Sequence, residues 1–171
     1  MLTPDHFDSQ SAELLRSGRP VLAGISGGRD SMALLSLLSG MPGCNLVACH
    51  VNHQLRPEAE EEEMFVLRYA ASLGIPCVRE RVNVRSMAHT RGIAIEEAAR
   101  EARQASFLKW AAGYPGALVA LAHHRNDQQE TALLPAASES GKRDQRKPAN
   151  KNPVFREGNG VGKLLKAVLT C

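Results

Sequence analysis

The sequence predicts an α/β fold, a doubly wound, mostly parallel sheet of four to five strands with helices on both faces. Three observations predict it. Val21–Ile25 is a short apolar run without polar alternation, as expected of a strand covered on both faces. Strand-like and helix-like segments alternate from there to about Leu134, which favours parallel strands joined by right-handed crossovers. Glycine and proline break the chain where each element should end, at Gly40-Met41-Pro42-Gly43, Gly74-Ile75-Pro76 and Gly113.

The elements follow in order. Asp8-Ser9-Gln10-Ser11 can cap a short helix that runs to Arg16 and closes at Gly18. Val21–Ile25 is the first strand, and Ser31–Ser39 is a helix with a broad apolar face. Leu46–Val51 is the second strand, followed by a loop over Asn52–Pro57. Pro57 suits the first position of a helix that reaches Leu73. The acidic run Glu58–Glu63 complements that helix's dipole, and Glu60–Glu63 reads as a solvated face with no role. Cys77–Val82 is the third strand, Ser86–Arg91 a short helix or loop, and Ile95–Ala112 a long helix. Ala117–Ala122 is the fourth strand, and a helix is expected from Gln128 to Leu134.

Composition bounds the function. At 171 residues and 43% hydrophobic, the chain is large enough for one domain with a real core. Aromatics are only 4%, so Leu, Val, Ile and Ala must build that core. No apolar run approaches the ~20 residues that span a bilayer. The N-terminus, MLTPDHFDSQ, does not read as a signal peptide. Cys44, Cys49, Cys77 and Cys171 form no C-x-x-C pair, which argues against a zinc ribbon or cluster. Cys49 and Cys77 read as buried thiols, and a reducing cytoplasm is the expected compartment.

Charge is unevenly spread. Residues 1–134 carry 13 Lys and Arg against 15 Asp and Glu, whereas residues 135–171 carry 8 against 3, so the basic balance lies in the last segment. The first part is rich in Arg and the last in Lys. A boundary at Leu134/Pro135 is therefore expected, with a flexible basic tail beyond it and a helical turn at Lys163–Leu169.

The segment Ser26-Gly27-Gly28-Arg29-Asp30-Ser31 carries the chemistry. It lies between a buried strand and an apolar helix. Gly27 and Gly28 allow positive φ and close approach of a ligand. Ser26 and Ser31 offer hydroxyls, and the helix N-terminus offers free N–H groups. That arrangement suits a phosphate. It is neither G-x-x-x-x-G-K-[ST] nor G-x-G-x-x-G.

SGGRDS resembles the SGGxDS signature of the PP-loop ATP pyrophosphatases. Three further segments resemble one branch of that family, the tRNA(Ile)-lysidine synthetases. They are His50-Val51-Asn52-His53-Gln54-Leu55-Arg56-Pro57, Glu97-Ala98-Ala99-Arg100-Glu101-Ala102-Arg103, and Ala122-His123-His124-Arg125-Asn126-Asp127-Gln128-Gln129-Glu130-Thr131. The resemblance covers about residues 15–134 and fits in order and spacing.

It implies a PP-loop ATP-binding catalytic domain over residues 1–134. ATP would activate the C2 carbonyl of the wobble cytidine in isoleucine tRNA as an adenylate, and the ε-amine of free lysine would then displace AMP. Ser26, Gly27, Gly28, Arg29, Asp30 and Ser31 would hold the pyrophosphate end of ATP, with His50 and Val51 near adenine. Asp30 and Asp127 would hold Mg²⁺, since an acid beside phosphate needs a cation. Asp30 as a helix N-cap stays open.

Asp127 and Glu130 share one face of a helix start and suit binding and deprotonating a lysine ammonium, or sharing a metal ion. With Asp30 and Arg103 they make the implied catalytic set. His53, Arg56, Arg100, His123 and His124 would face substrate. Arg100 and Arg103 share a face that can clamp phosphate, or can pair with Glu97 or Glu101.

No family-like fifth strand is recognisable after Leu134. A truncated or frame-altered end is one reading of this. A homodimer that completes the open sheet edge is another. A nucleotide-binding module without turnover and a different PP-loop ligase stay open as functions.

Overall fold

The computed structural model describes residues 9–123 and 164–168. The elements are α1 (Ser9–Leu15), β1 (Pro20–Gly24), α2 (Arg29–Ser39), β2 (Asn45–Asn52), α3 (Ala59–Ser72), β3 (Cys77–Arg81), α4 (Val84–Arg91), α5 (Ile95–Gly113), β4 (Leu118–His123) and β5 (Leu164–Val168). The five strands form one sheet in the order β3-β2-β1-β4-β5, and every pairing is parallel.

Alternation along β1 explains why both faces are covered. Val21 and Ala23 point to one side, where Leu34, Leu35 and Leu38 of α2 and Val66 and Ala70 of α3 pack with Leu118 and Ala120 of β4. Leu22 points to the other side, toward Val47, Cys49 and Val119 and toward Phe107, Trp110 and Ala111 of α5. Phe107 and Trp110 meet edge to face at a centroid distance of 5.3 Å. A third cluster, Val84, Ala88, Ala98 and Ala102, joins α4 to α5. Small residues let those two helices approach.

The order of strands decides where a ligand can sit. The chain leaves β1 toward β2 and β3 on one side, and later returns to the other side as β4 and β5. The connections at the carboxyl ends of β1 and β4 thus part company and open a crevice.

Three expectations are corrected. Lys163–Leu169 was expected to make a helical turn, but Leu164–Val168 forms β5, paired with β4 from Val119↔Leu164 to His123↔Val168. A five-residue segment such as LLKAV does not distinguish helix from strand by itself, and the ladder offered by β4 decides it. The edge of β4 expected to be open is therefore occupied. Pro57 is not the first helical residue: α3 begins at Ala59, with Glu58 as its N-cap. Asp30 is not the N-cap of α2, because Gly28 holds that position, extended at φ −74° and ψ 159°. The Leu134/Pro135 boundary and the helix expected over Gln128–Leu134 lie outside the described residues.

Candidate functional site

The crevice contains a cavity of about 340 Å³. Its walls come from the carboxyl ends of β1, β2 and β4, the loop after β1, the loop after β2, the start of α3 and the middle of α5.

The loop after β1 is tied together by its own hydroxyls. Ser31 Oγ accepts from the Ser26 backbone N–H at 3.1 Å and donates to the Gly28 carbonyl at 2.9 Å. The two hydroxyls lie 3.1 Å apart, and the Gly28 N–H donates to Ser26 Oγ at 3.3 Å. Gly27 has φ +90°, which a side chain rarely adopts. The loop therefore wraps the N-terminus of α2, whose first N–H groups are left for an anion. Ser26 and Ser31 line the cavity, whereas Gly27, Gly28, Arg29 and Asp30 are not part of its wall. The Arg29 side chain is exposed, with Nε 3.8 Å from an Asp30 carboxylate oxygen.

The end of β2 supplies the second wall. His50 is buried, and its Nδ1 lies 2.7 Å from the Ile25 carbonyl, so that nitrogen carries the proton. Its Nε2 has no hydrogen-bond partner among the described residues. Val51 and His53 are half-buried, and both line the cavity. The His53 pKa is lowered to about 4 by burial, by the positive charge of Arg103 and by His50. Its ring is therefore neutral near pH 7. Arg56 lines the same wall and is held by Glu62 in a bidentate pair, at 2.9 and 3.0 Å.

From α5, Arg103 reaches the cavity one turn before Phe107, and both line it. Arg100 is exposed and does not line it. The ion pairing left open for these arginines takes another form, because Glu101 pairs with Arg91. Gly24 lets α5 and β4 close over the site: a Cβ there would overlap Leu121 Cδ2 and lie 3.1 Å from Phe107 Cζ. His123 ends β4 two residues past Leu121, which pairs with Gly24, and so stands at the same sheet edge. His124, Asp127 and Glu130 lie outside the described residues.

The acidic run on α3 is also corrected. Glu63 is completely buried. It accepts from Arg79 Nη1 at 2.6 Å, from Arg81 Nε at 2.9 Å and Nη2 at 3.2 Å, and from Asn52 Nδ2 at 2.9 Å. Burial pushes its carboxyl up, but the hydrogen bonds from Arg81 and Asn52 and the charges of Arg81 and Arg79 outweigh this and hold it below the usual value. A signal for this was present, since Glu63, Val66 and Ala70 follow the spacing of one helix stripe, and all three are buried. Glu60 pairs with Arg81.

The cysteines read from sequence as thiols are free at Cys44, Cys49 and Cys77. Cys77 is half-buried rather than buried, and burial pushes its pKa up to about 11, so it is a poor nucleophile. Among the described residues no helix is long and apolar enough to cross a membrane, and no cluster of three or more His, Cys, Asp or Glu is placed to hold a metal.

The chain is similar in sequence to several curated proteins. The chain is 42% identical over 122 residues to a tRNA(Ile)-lysidine synthase of Parabacteroides distasonis, a match that spans 71% of this chain and 28% of the relative. It is 37% identical over 127 residues to that of Bacillus subtilis (72% and 27%) and 41% identical over 128 residues to that of Pseudothermotoga lettingae (72% and 28%). The chain thus spans little more than a quarter of the length of these relatives. Among solved structures, the U34-tRNA thiolase NcsA from Methanococcus maripaludis aligns with a TM-score of 0.49 at 15% identity, covering 64% of this chain and 43% of that one. The PP-loop domain family matches residues 4–154, running past the compositional change at Leu134. With most of its length matched, and with the glycine-rich loop, parallel sheet and crevice in place, the chain belongs to the PP-loop domain family.

Proposed function

We propose that this chain carries the ATP-using part of a tRNA(Ile)-lysidine synthase. ATP would enter the crevice with its phosphates on the Ser26–Ser31 loop and its base against His50 and Val51. The C2 carbonyl oxygen of the wobble cytidine would attack the α-phosphorus, breaking the Pα–O bond to the β-phosphate and releasing pyrophosphate. The lysine ε-amine, deprotonated by Asp127 or Glu130, would attack C2 and expel AMP. The observation that carries this reading is the position of the hydroxyl-tied loop, at the mouth of a cavity at the switch point of a parallel sheet.

The described residues fit Mg²⁺ as a partner of ATP, not as a protein-caged ion. Asp30 stands in the loop itself, whereas Glu62, the carboxylate in the cavity wall, is taken by Arg56, and Mg²⁺ is commonly held by one or two carboxylates plus substrate phosphates. When bound, Mg²⁺ neutralises charge on the phosphates as they separate. Asp127 is proposed as its second ligand. Arg103 would face the same charge from α5, and His53, Arg56, Arg100, His123 and His124 would contact the tRNA or lysine. These roles suit a cytoplasmic enzyme with tRNA(Ile) and free lysine as substrates.

The test is pyrophosphate release from ATP by the purified chain, with lysine and isoleucine tRNA added or withheld. Pyrophosphate release that needs the tRNA, followed by AMP release that needs lysine as well, supports the proposal. ATP binding without release in any mixture refutes it for this chain and leaves a nucleotide-binding domain. Asp127→Asn is expected to slow the lysine-dependent release of AMP by roughly 10²–10⁴-fold if that group moves a proton.

A further inference from the structure

The cavity wall formed by the β2 end rests on an ionic network that none of the roles above uses, in which the buried Glu63 carboxylate is met by two arginines that reach it from the surface. We propose that Glu63, acting through Asn52, is a positioning residue that sets the Asn52–Arg56 bend and so shapes the wall of the nucleotide cavity in which His53 stands. The inference rests on the reading of the cavity as an ATP site.

The chain of contacts is continuous. Arg79 and Arg81 stand two residues apart on β3, on its α3 side, and both donate to Glu63. Glu63 accepts in turn from Asn52 Nδ2, which also donates to the Ala59 carbonyl at 3.0 Å, at the start of α3. With its amide nitrogen fixed in this way, Asn52 turns Oδ1 toward the next residues, where it accepts from the Gln54 N–H at 2.9 Å. This Asx-type turn holds Gln54 at φ +52°, the one positive φ of a non-glycine among the described residues. The next residue but one, Arg56, is held by Glu62, the neighbour of Glu63. The first two turns of α3 therefore grip the bend at both ends, and His53 lies between the grips.

Stability alone does not account for the carboxylate. The stripe it occupies is otherwise apolar, with Val66 and Ala70 fully buried, and an apolar side chain there would extend the core. A buried carboxylate held by arginines often contributes no more than a well-packed hydrophobic residue, whereas its hydrogen bonds fix directions. Here the directions run to one loop, and that loop lines the cavity. A bend held at positive φ next to a site is where orientation is worth its energetic cost.

The experiment uses the full chain with Asn52→Ala and Glu63→Gln, and with Glu60→Gln as a control that loses only an exposed partner of Arg81. Three quantities are read: Mg-ATP affinity by calorimetry, melting temperature, and the His53 ring titration by NMR, assigned with His53→Gln. In Asn52→Ala, Glu63 keeps its arginine donors, so the fold should survive even if Glu63→Gln fails to fold. The expected result is a loss of ATP affinity of roughly tenfold or more from misplacement. His53, which is shielded by burial and faced by Arg103 and His50, should also titrate closer to 6.5 than to about 4. The control should resemble the parent in all three. A folded Asn52→Ala that binds ATP as the parent does, with an unmoved His53 titration, overturns the inference and leaves a purely structural network. Should the parent bind no ATP, the functional proposal falls instead, and the His53 titration alone decides: moved in Asn52→Ala, the positioning stands; unmoved, it fails.

Discussion

Ser31→Ala tests whether the glycine-rich loop proposed to hold phosphate is tied by its hydroxyls. The side chain is almost fully buried, and its oxygen makes two directed bonds, accepting from Ser26 N–H at 3.1 Å and donating to the Gly28 carbonyl at 2.9 Å. A net hydrogen bond contributes about 1 kcal/mol. Ser26 is exposed, so water takes over its freed N–H, and the full penalty of a buried orphan does not apply. The expected loss in folding stability is about 1–2 kcal/mol. The larger effect should fall on the ligand. Without Ser31 Oγ, the Ser26 end of the loop is no longer tied to the N-terminus of α2, and its N–H groups lose their common aim. A tenfold loss in ATP affinity, about 1.4 kcal/mol, is expected. The assays are urea unfolding without nucleotide and calorimetric titration with Mg-ATP. Ser31→Thr keeps the hydroxyl and should recover much of both. If Ser31→Ala matches the parent in midpoint and in affinity, the hydroxyl ties do not organise the loop.

Three further outcomes are expected. Stability should fall on acidification in two stages. The folded His53 pKa, about 4, lies below its ordinary 6.5, so the unfolded chain binds that proton first and stability is lost as pH falls from about 6.5 toward 4; His53→Gln removes this stage in urea midpoints measured across that range. Glu63 is held below its ordinary value, so its stabilisation is present above the unfolded carboxyl pKa and is lost as pH falls through the lower folded one; Glu63→Gln should flatten that acid limb. Gly24→Ala should cost about 1–3 kcal/mol by overpacking against Leu121 and Phe107, read by denaturant unfolding, and a neutral result would mean that α5 and β4 yield freely there. Asp30→Asn should weaken ATP binding with Mg²⁺ present much more than in its absence, and equal losses in both conditions would remove Asp30 from metal binding.

Much of the fold was legible because local signals and global arrangement agreed. The first strand, the helix after it and the glycine-rich turn between them are each marked by short-range patterning. Strand-helix alternation then leaves few topologies. The long helix Ile95–Gly113 was legible to within a residue because its length and its closing glycine both speak for it. Arg103 was singled out by sequence and does stand at the cavity, yet its neighbour Arg100, which shares the motif, does not. Sequence spacing places both on one helix face but does not say how far along the helix the crevice extends.

What sequence determined by itself is the class of the molecule and the place of its glycine-rich turn, since both depend on backbone propensities and on periods within a few residues. Three things were decided only in the folded chain. Leu164–Val168 became a strand because β4 offered it a ladder, far away in sequence. Glu63, itself buried, became the hub of an ionic network because β3 folded beside α3 with two arginines on the facing side. The lowered His53 pKa, likewise, comes from burial and from the approach of Arg103 on a helix 50 positions further along the chain. In each case the deciding term is a partner brought close by tertiary packing. Such a partner's charge or hydrogen bond acts over a few ångströms of space, whatever the separation along the chain.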